Sequence, residues 1–213
     1  MLQNSIRLRK IYMTNISDHS SDSDFKNKLF PLIMAGGSGT RFWPASTCKR
    51  PKQYLTTFLK DKKSLLTDTL DRFKYISEKE NNYIVTIKDQ KEIALETAGE
   101  RLNNDSFIFE PSAKNTAPCI FLSLIKLLYL GASPEDIVAI VPSDHIILNH
   151  HAFRETIQTA KILASSTNNI VTIGIKPYFP HTGYGYIKRG KNYETNLLLK
   201  SNISNYLVDQ LKK

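Results

Sequence analysis

Apolar residues in this chain arrive in short blocks set between longer periodic stretches. The blocks lie at 30–34, 83–87 (YIVTI), 107–109, 137–141 (IVAIV) and 170–175 (IVTIGI). Brief apolar runs of this kind predict buried strands. Patterns of helical length fill the intervals at about 64–76, 89–102, 115–130 and 151–165. Ser64 and Asn115 stand where N-caps belong, and Gly131 follows the third pattern as a C-terminal stop. Strand and helix in alternation predict an α/β fold, with a mostly parallel sheet, flanking helices and right-handed crossovers. Residues 1–28, which contain SDHSSDSD at 17–24, lack apolar periodicity and read as a flexible leader. The expected domain is 29–190, with 191–213 as a divergent tail.

In a parallel sheet, ligands bind at the carboxyl ends of the strands. Three unusual segments follow predicted strands: AGGSGTR at 35–41, EPSAKNTAP at 110–118 and VPSDH at 141–145. They are therefore expected at one edge, around one cleft. The first matters most, because a bare glycine backbone leaves amides free to hold phosphate. It is neither of two familiar phosphate motifs. A dinucleotide fingerprint fails because its third glycine position is Phe42, and a P-loop fails because Gly39 is followed by Thr40 and Arg41.

Charge sharpens this picture. The formal net charge is +9, but residues 41–63 hold seven basic groups and one acid, and residues 188–213 hold six and two. The middle, 64–187, holds eleven basic groups against fourteen acids. A polynucleotide binder spreads positive charge along a face with aromatics interleaved. An excess beside the glycine loop suits a small polyanion, so no nucleic-acid partner is expected. No apolar run approaches the ~20 residues of a membrane span, and no signal-peptide pattern is present. Cys48 and Cys119 have no disulfide or metal spacing and suit a reducing, cytoplasmic setting, with Cys119 in the core.

The motifs together resemble those of the bacterial mannose-1-phosphate guanylyltransferases (GDP-mannose pyrophosphorylases), within the sugar-1-phosphate nucleotidyltransferases. AGGSGTRFWPAS and PKQYL resemble the first motif of that family. EPSAKNTAP resembles its guanine-side motif, VPSDHII its metal-site motif, and GIKPYFPHTGYGYIKRG its sugar-side motif. The resemblance implies a Rossmann-like sheet of the glycosyltransferase-A kind. It also implies attack by a mannose-1-phosphate oxygen on the α-phosphorus of GTP, giving GDP-mannose and pyrophosphate. Gly36, Gly37, Gly39 and Thr40 would lie along the nucleotide phosphates, Arg41 would clamp the β- and γ-phosphates, and Lys52 would add a second positive charge. Asp144 would hold Mg²⁺, in preference to the plainer role of a loop aspartate that caps a turn. Asn115 and Thr116 would face the guanine, although helix capping alone accounts for the asparagine. Gly185, in a strand-like TGYGYI, would lie against the sugar phosphate. His145 is expected to be structural.

After Gly190 the pattern departs from the family. A Glu-Lys-Pro motif, an Asn-Gly segment and a further aspartate, which the resemblance implies for the sugar and metal sites, do not appear in 191–213. The chain is thus expected to be the nucleotide portion of such an enzyme, truncated at its C-terminus. A dry site without two of its charged groups, at about 3 kcal/mol each, is slower by roughly four decades of rate. Little turnover by the chain alone is expected. The alternatives are a non-catalytic GTP-binding remnant and one half of a split enzyme. A homo-oligomer or a complementing C-terminal fragment are the macromolecular partners left open.

Overall fold

The computed structural model describes residues 27–37, 43–47, 49–56, 61–167, 169–180 and 182–188. The expected leader, Cys48 and the expected tail lie almost wholly outside the described residues, as do Gly39, Thr40 and Arg41.

Four strands form one parallel sheet among the described residues: β1 (Leu29–Met34), β2 (Tyr83–Ile87), β3 (Phe107–Glu110) and β4 (Ile137–Pro142). Their order is β3-β2-β1-β4, so the first strand in sequence lies inside the sheet. Register follows the apolar pattern, with Leu29 opposite Ile137 and Ile33 opposite both Val141 and Ile84. Alternation then sends successive side chains to opposite faces. Ile33, Ala35 and Ile84 pack with Leu66, Leu70, Ala94 and Ala98 of helices α1 (Leu65–Phe73) and α2 (Lys91–Ala98). Phe30, Leu32, Tyr83 and Val85 pack on the other face with Cys119 and Leu127 of α3 (Thr116–Tyr129). Helix α4 (His150–Thr167) joins the first face, where Ile157 meets Leu29 and Phe73. Among the described residues, three helices thus cover one face and one covers the other. The consequence is visible in exposure: Phe121, Ile125 and Tyr129 of α3 stand open to solvent at 63, 52 and 83%.

Local chemistry sets the helix ends. Ser64 caps α1, its Oγ accepting from the Thr67 N–H at 3.0 Å. Asn149 caps α4 by accepting from the Ala152 N–H at 3.0 Å. Gly131, at φ 94°, ends α3 as expected: its N–H reaches the Leu128 carbonyl while that of Ala132 reaches Leu127. This double closure is what a left-handed residue after a helix permits.

Three expectations are corrected. Residues 170–175 carry no strand, and Ile170 and Ile175 are largely exposed, because a parallel strand exists only by pairing and no described residue pairs with the outer edge of β4. TGYGYI is likewise a turn followed by residues without regular structure rather than a strand. Asn115 occupies the N-cap position of α3, but its side chain caps nothing and its backbone has φ 68°.

Candidate nucleotide site

The chain leaves β1 toward β2 and β3 on one side, then crosses back to place β4 on the other. Where strand order reverses in this way, the loops diverge and open a crevice at the carboxyl ends. Gly36 and Gly37 follow β1 into that crevice, and Ser143 and Asp144 follow β4. Both loops leave in fixed register: the Ala35 N–H donates to the Val85 carbonyl at 2.8 Å, and the Ser143 N–H to the Met34 carbonyl at 3.0 Å.

Gly36 is closely approached by the Glu110 side chain. A β-carbon there would lie 3.2 Å from Oε2 of Glu110 and 3.8 Å from Ile87, so a side chain would press on the end of β3. Beneath the glycines lies a buried polar network. Gln53 donates from Nε2 to the carbonyls of Ala35 at 2.7 Å and Gly37 at 3.1 Å. Gln90 donates to the same Gly37 carbonyl at 3.3 Å. The Gln90 Oε1 accepts from the Tyr54 hydroxyl at 3.2 Å, and Thr86 Oγ1 lies 3.1 Å from it and 3.2 Å from the Ala35 carbonyl. Burial pushes the Tyr54 phenol up, with the bonds to Thr86 and Gln53 pulling against it, so Tyr54 stays a donor at neutral pH. In a planar trans peptide the carbonyl and the next N–H point opposite ways. Drawing the Ala35 carbonyl inward therefore turns the Gly36 N–H outward, toward the crevice.

The sequence PKQYL folds as a single tight turn, Lys52–Tyr54, following Pro51. Its two inner side chains, Gln53 and Tyr54, are buried in the network, and Lys52 is left toward β4. There its ammonium pairs with the Asp144 carboxylate, both side chains about a quarter exposed. A lysine and an aspartate expected to serve phosphate and cation respectively thus meet across the crevice. A salt bridge this accessible to water is weakly held and can be exchanged for ligand contacts.

At the β3 side, Asn115 and Thr116 are exposed where α3 begins, on the same sheet edge. A positive φ in a non-glycine residue stores backbone strain that the surroundings must impose. The Asn115 amide makes no cap, so it faces solvent from the loop that follows β3. Buried Cys119, one turn into α3, is core as expected; burial and then the neighbouring Glu110 carboxylate push its thiol up to about 11. Gly185 is exposed with nothing within 4 Å of a would-be β-carbon, so the described structure does not gather it into the crevice.

Gln53, Tyr54, Thr86 and Gln90 were not anticipated by sequence reasoning. One signal existed: Thr86 is a polar residue inside the apolar run YIVTI, and a buried hydroxyl needs partners.

The model of the nucleotidyl transferase family matches residues 30–199. The chain belongs to that family. The chain is 35% identical over 168 residues to the mannose-1-phosphate guanylyltransferase of Escherichia coli K12, covering 78% of the chain and 34% of that protein. It is 36% identical over 167 residues to mannose-1-phosphate guanylyltransferase ManC of Salmonella typhimurium, with 78 and 34% covered. Its fold is similar to the crystal structure of mannose-1-phosphate geranyltransferase from Thermus thermophilus, with a TM-score of 0.54 at 32% identity. That match covers 62% of this chain and 37% of the solved one. The chain spans about a third of the length of the curated relatives it matches. Members of the family generally use a divalent metal, and no described helix is long and apolar enough to cross a membrane.

Proposed function

We propose that this nucleotidyl transferase binds GTP in the crevice between β1 and β4 and serves the synthesis of GDP-mannose in the cytoplasm. The observation that carries the reading is the meeting of Lys52 and Asp144 beside the glycine loop at the point where strand order reverses. In the reaction, a phosphate oxygen of mannose-1-phosphate attacks the α-phosphorus of GTP. The bond from that phosphorus to the bridging oxygen breaks, and pyrophosphate leaves. No covalent enzyme intermediate is needed, so the chain's task is alignment and neutralisation of charge. The Gly36 amide and Lys52 meet the triphosphate, with Gly37 beside them and Gly39, Thr40 and Arg41 continuing the same loop. Asn115 and Thr116 take the guanine side, and Gly185 is assigned to the sugar phosphate.

Asp144 fits Mg²⁺. That ion binds through one or two carboxylates, with phosphate and water oxygens filling its remaining positions. No group of three or more His, Cys, Asp or Glu able to hold a metal occurs among the described residues. A single carboxylate at a triphosphate crevice therefore suits a cation brought in with the nucleotide. Bound there, Mg²⁺ would offset negative charge on the phosphates.

Calorimetry with GTP, ATP and Mg²⁺ tests binding, and pyrophosphate release with mannose-1-phosphate tests turnover. GTP affinity at least tenfold above ATP supports the guanine reading, and no nucleotide binding at all overturns the proposal. A second reading, GTP binding without turnover, is favoured by the exposed position of Gly185. Binding without pyrophosphate release would establish it.

A further inference from the structure

We propose that Arg72, a buried arginine of α1 outside every motif considered above, is a positioning residue for the Asp144 carboxylate. The inference rests on the reading that Asp144 holds the nucleotide's cation. Arg72 is 2% exposed. Its Nε lies 3.4 Å from the Asp68 carboxylate one turn earlier, and Asp68 in turn faces Nε2 of His150 at 3.2 Å. The Phe153 ring lies 5.5 Å from the guanidinium carbon.

A local ion pair alone would neutralise this buried charge. The guanidinium does more: its Nη2 donates to Thr69 Oγ1 at 2.5 Å and, 73 residues along the chain, to the His145 carbonyl at 2.9 Å. That carbonyl belongs to the residue immediately after Asp144. On the other side of Asp144, the Ser143 N–H is tied to the Met34 carbonyl at 3.0 Å. The backbone of Asp144 is thus held from both sides, by the edge of β1 and by a buried cation on α1. A planar fork can face Asp68 with one edge and the loop with another, whereas an ammonium is a point charge without fixed directions. His145 takes part through its backbone carbonyl, and the residue is otherwise exposed.

The test measures the ratio of GTP affinity with Mg²⁺ to that with EDTA, by calorimetry on the whole chain, together with thermal unfolding. Arg72→Lys, Arg72→Met and Asp144→Asn are compared with wild type. A loss of fold stability alone does not move this ratio in protein that remains folded. Asp144→Asn should bring the ratio close to one, and folded Arg72→Lys and Arg72→Met should lower it fivefold or more. An unchanged ratio in Asp144→Asn would refute the cation reading itself. A collapsed ratio in Asp144→Asn with wild-type values in both Arg72 variants would overturn the positioning role only. If neither Arg72 variant folds at the assay temperature, Arg72 is a structural residue and the proposal falls.

Discussion

Replacing Gln53 with Met tests whether the polar network beneath the glycine loop organises the phosphate site or only fills space. The substitution keeps side-chain length and removes the Nε2 contacts to the Ala35 carbonyl at 2.7 Å, the Gly37 carbonyl at 3.1 Å and, more weakly, Gln90 Oε1 at 3.4 Å. A hydrogen bond contributes about 0.5–1.5 kcal/mol net, and orphaning a buried acceptor costs more. Neither carbonyl is orphaned, since Thr86 Oγ1 lies 3.2 Å from the first and Gln90 donates to the second at 3.3 Å. The loss of stability should therefore fall at about 1–2 kcal/mol. At roughly 2–4 °C per kcal/mol for a chain of this size, the Tm should drop by about 2–8 °C. The shorter of the two contacts that draw the Ala35 carbonyl inward is then gone, which loosens the outward direction of the Gly36 N–H, so GTP affinity should fall about tenfold, equivalent to about 1.4 kcal/mol. Denaturant unfolding followed by circular dichroism gives the first quantity, and calorimetry with GTP the second. A stability loss in this range with GTP affinity within twofold of wild type would refute the organising role. Unchanged values of both would show that the bonds contribute nothing measurable.

Four further outcomes are expected. The Cys119 thiol, raised to about 11 by burial and the Glu110 carboxylate, should resist alkylation at pH 8 in the native chain and react promptly once unfolded. Because the unfolded thiol ionises first, stability should also decline as pH rises from about 9 toward 11, and a flat unfolding free energy across that window would contradict the assignment. Gly131→Ala meets no atom within 4 Å but must hold φ 94°, so denaturant titration should show a loss of about 1–2 kcal/mol, arising from backbone strain alone. Changing Phe121, Ile125 and Tyr129 together to polar residues should reduce self-association, measured by sedimentation velocity, because their contiguous exposure on α3 forms an apolar patch; an unchanged distribution would show that the patch is not adhesive.

Much of the fold was legible because burial on both faces of a parallel sheet writes strands as unbroken apolar runs, as in YIVTI, and because caps such as Ser64 have local chemistry. The run at 170–175 misled for the same reason: IVTIGI has strand composition, but pairing depends on a neighbour elsewhere in the chain. Lys52 and Asp144 were legible as candidates, although their mutual contact was not, since 92 positions separate them. Gln90 was hidden altogether. A glutamine among KDQK has the look of a solvated turn, and only tertiary packing turns it into the acceptor for Tyr54. Asn115 shows the converse: its position relative to α3 could be read, but the conformation that frees its amide from capping could not.

The interior position of β1 carries a consequence for synthesis. Its partner on one side, β4, ends at Pro142, whereas β1 itself ends at Met34. At about 5–20 residues per second, roughly 5–20 s separate the emergence of the two strands. Throughout that interval β1 offers a bare hydrogen-bonding edge, flanked by apolar side chains, to any other nascent chain. The wall bearing Asp144 cannot be placed until that edge is filled. Nucleotide can therefore rescue only chains already past this point, and a holding chaperone that shields β1 should raise the yield where added GTP does not.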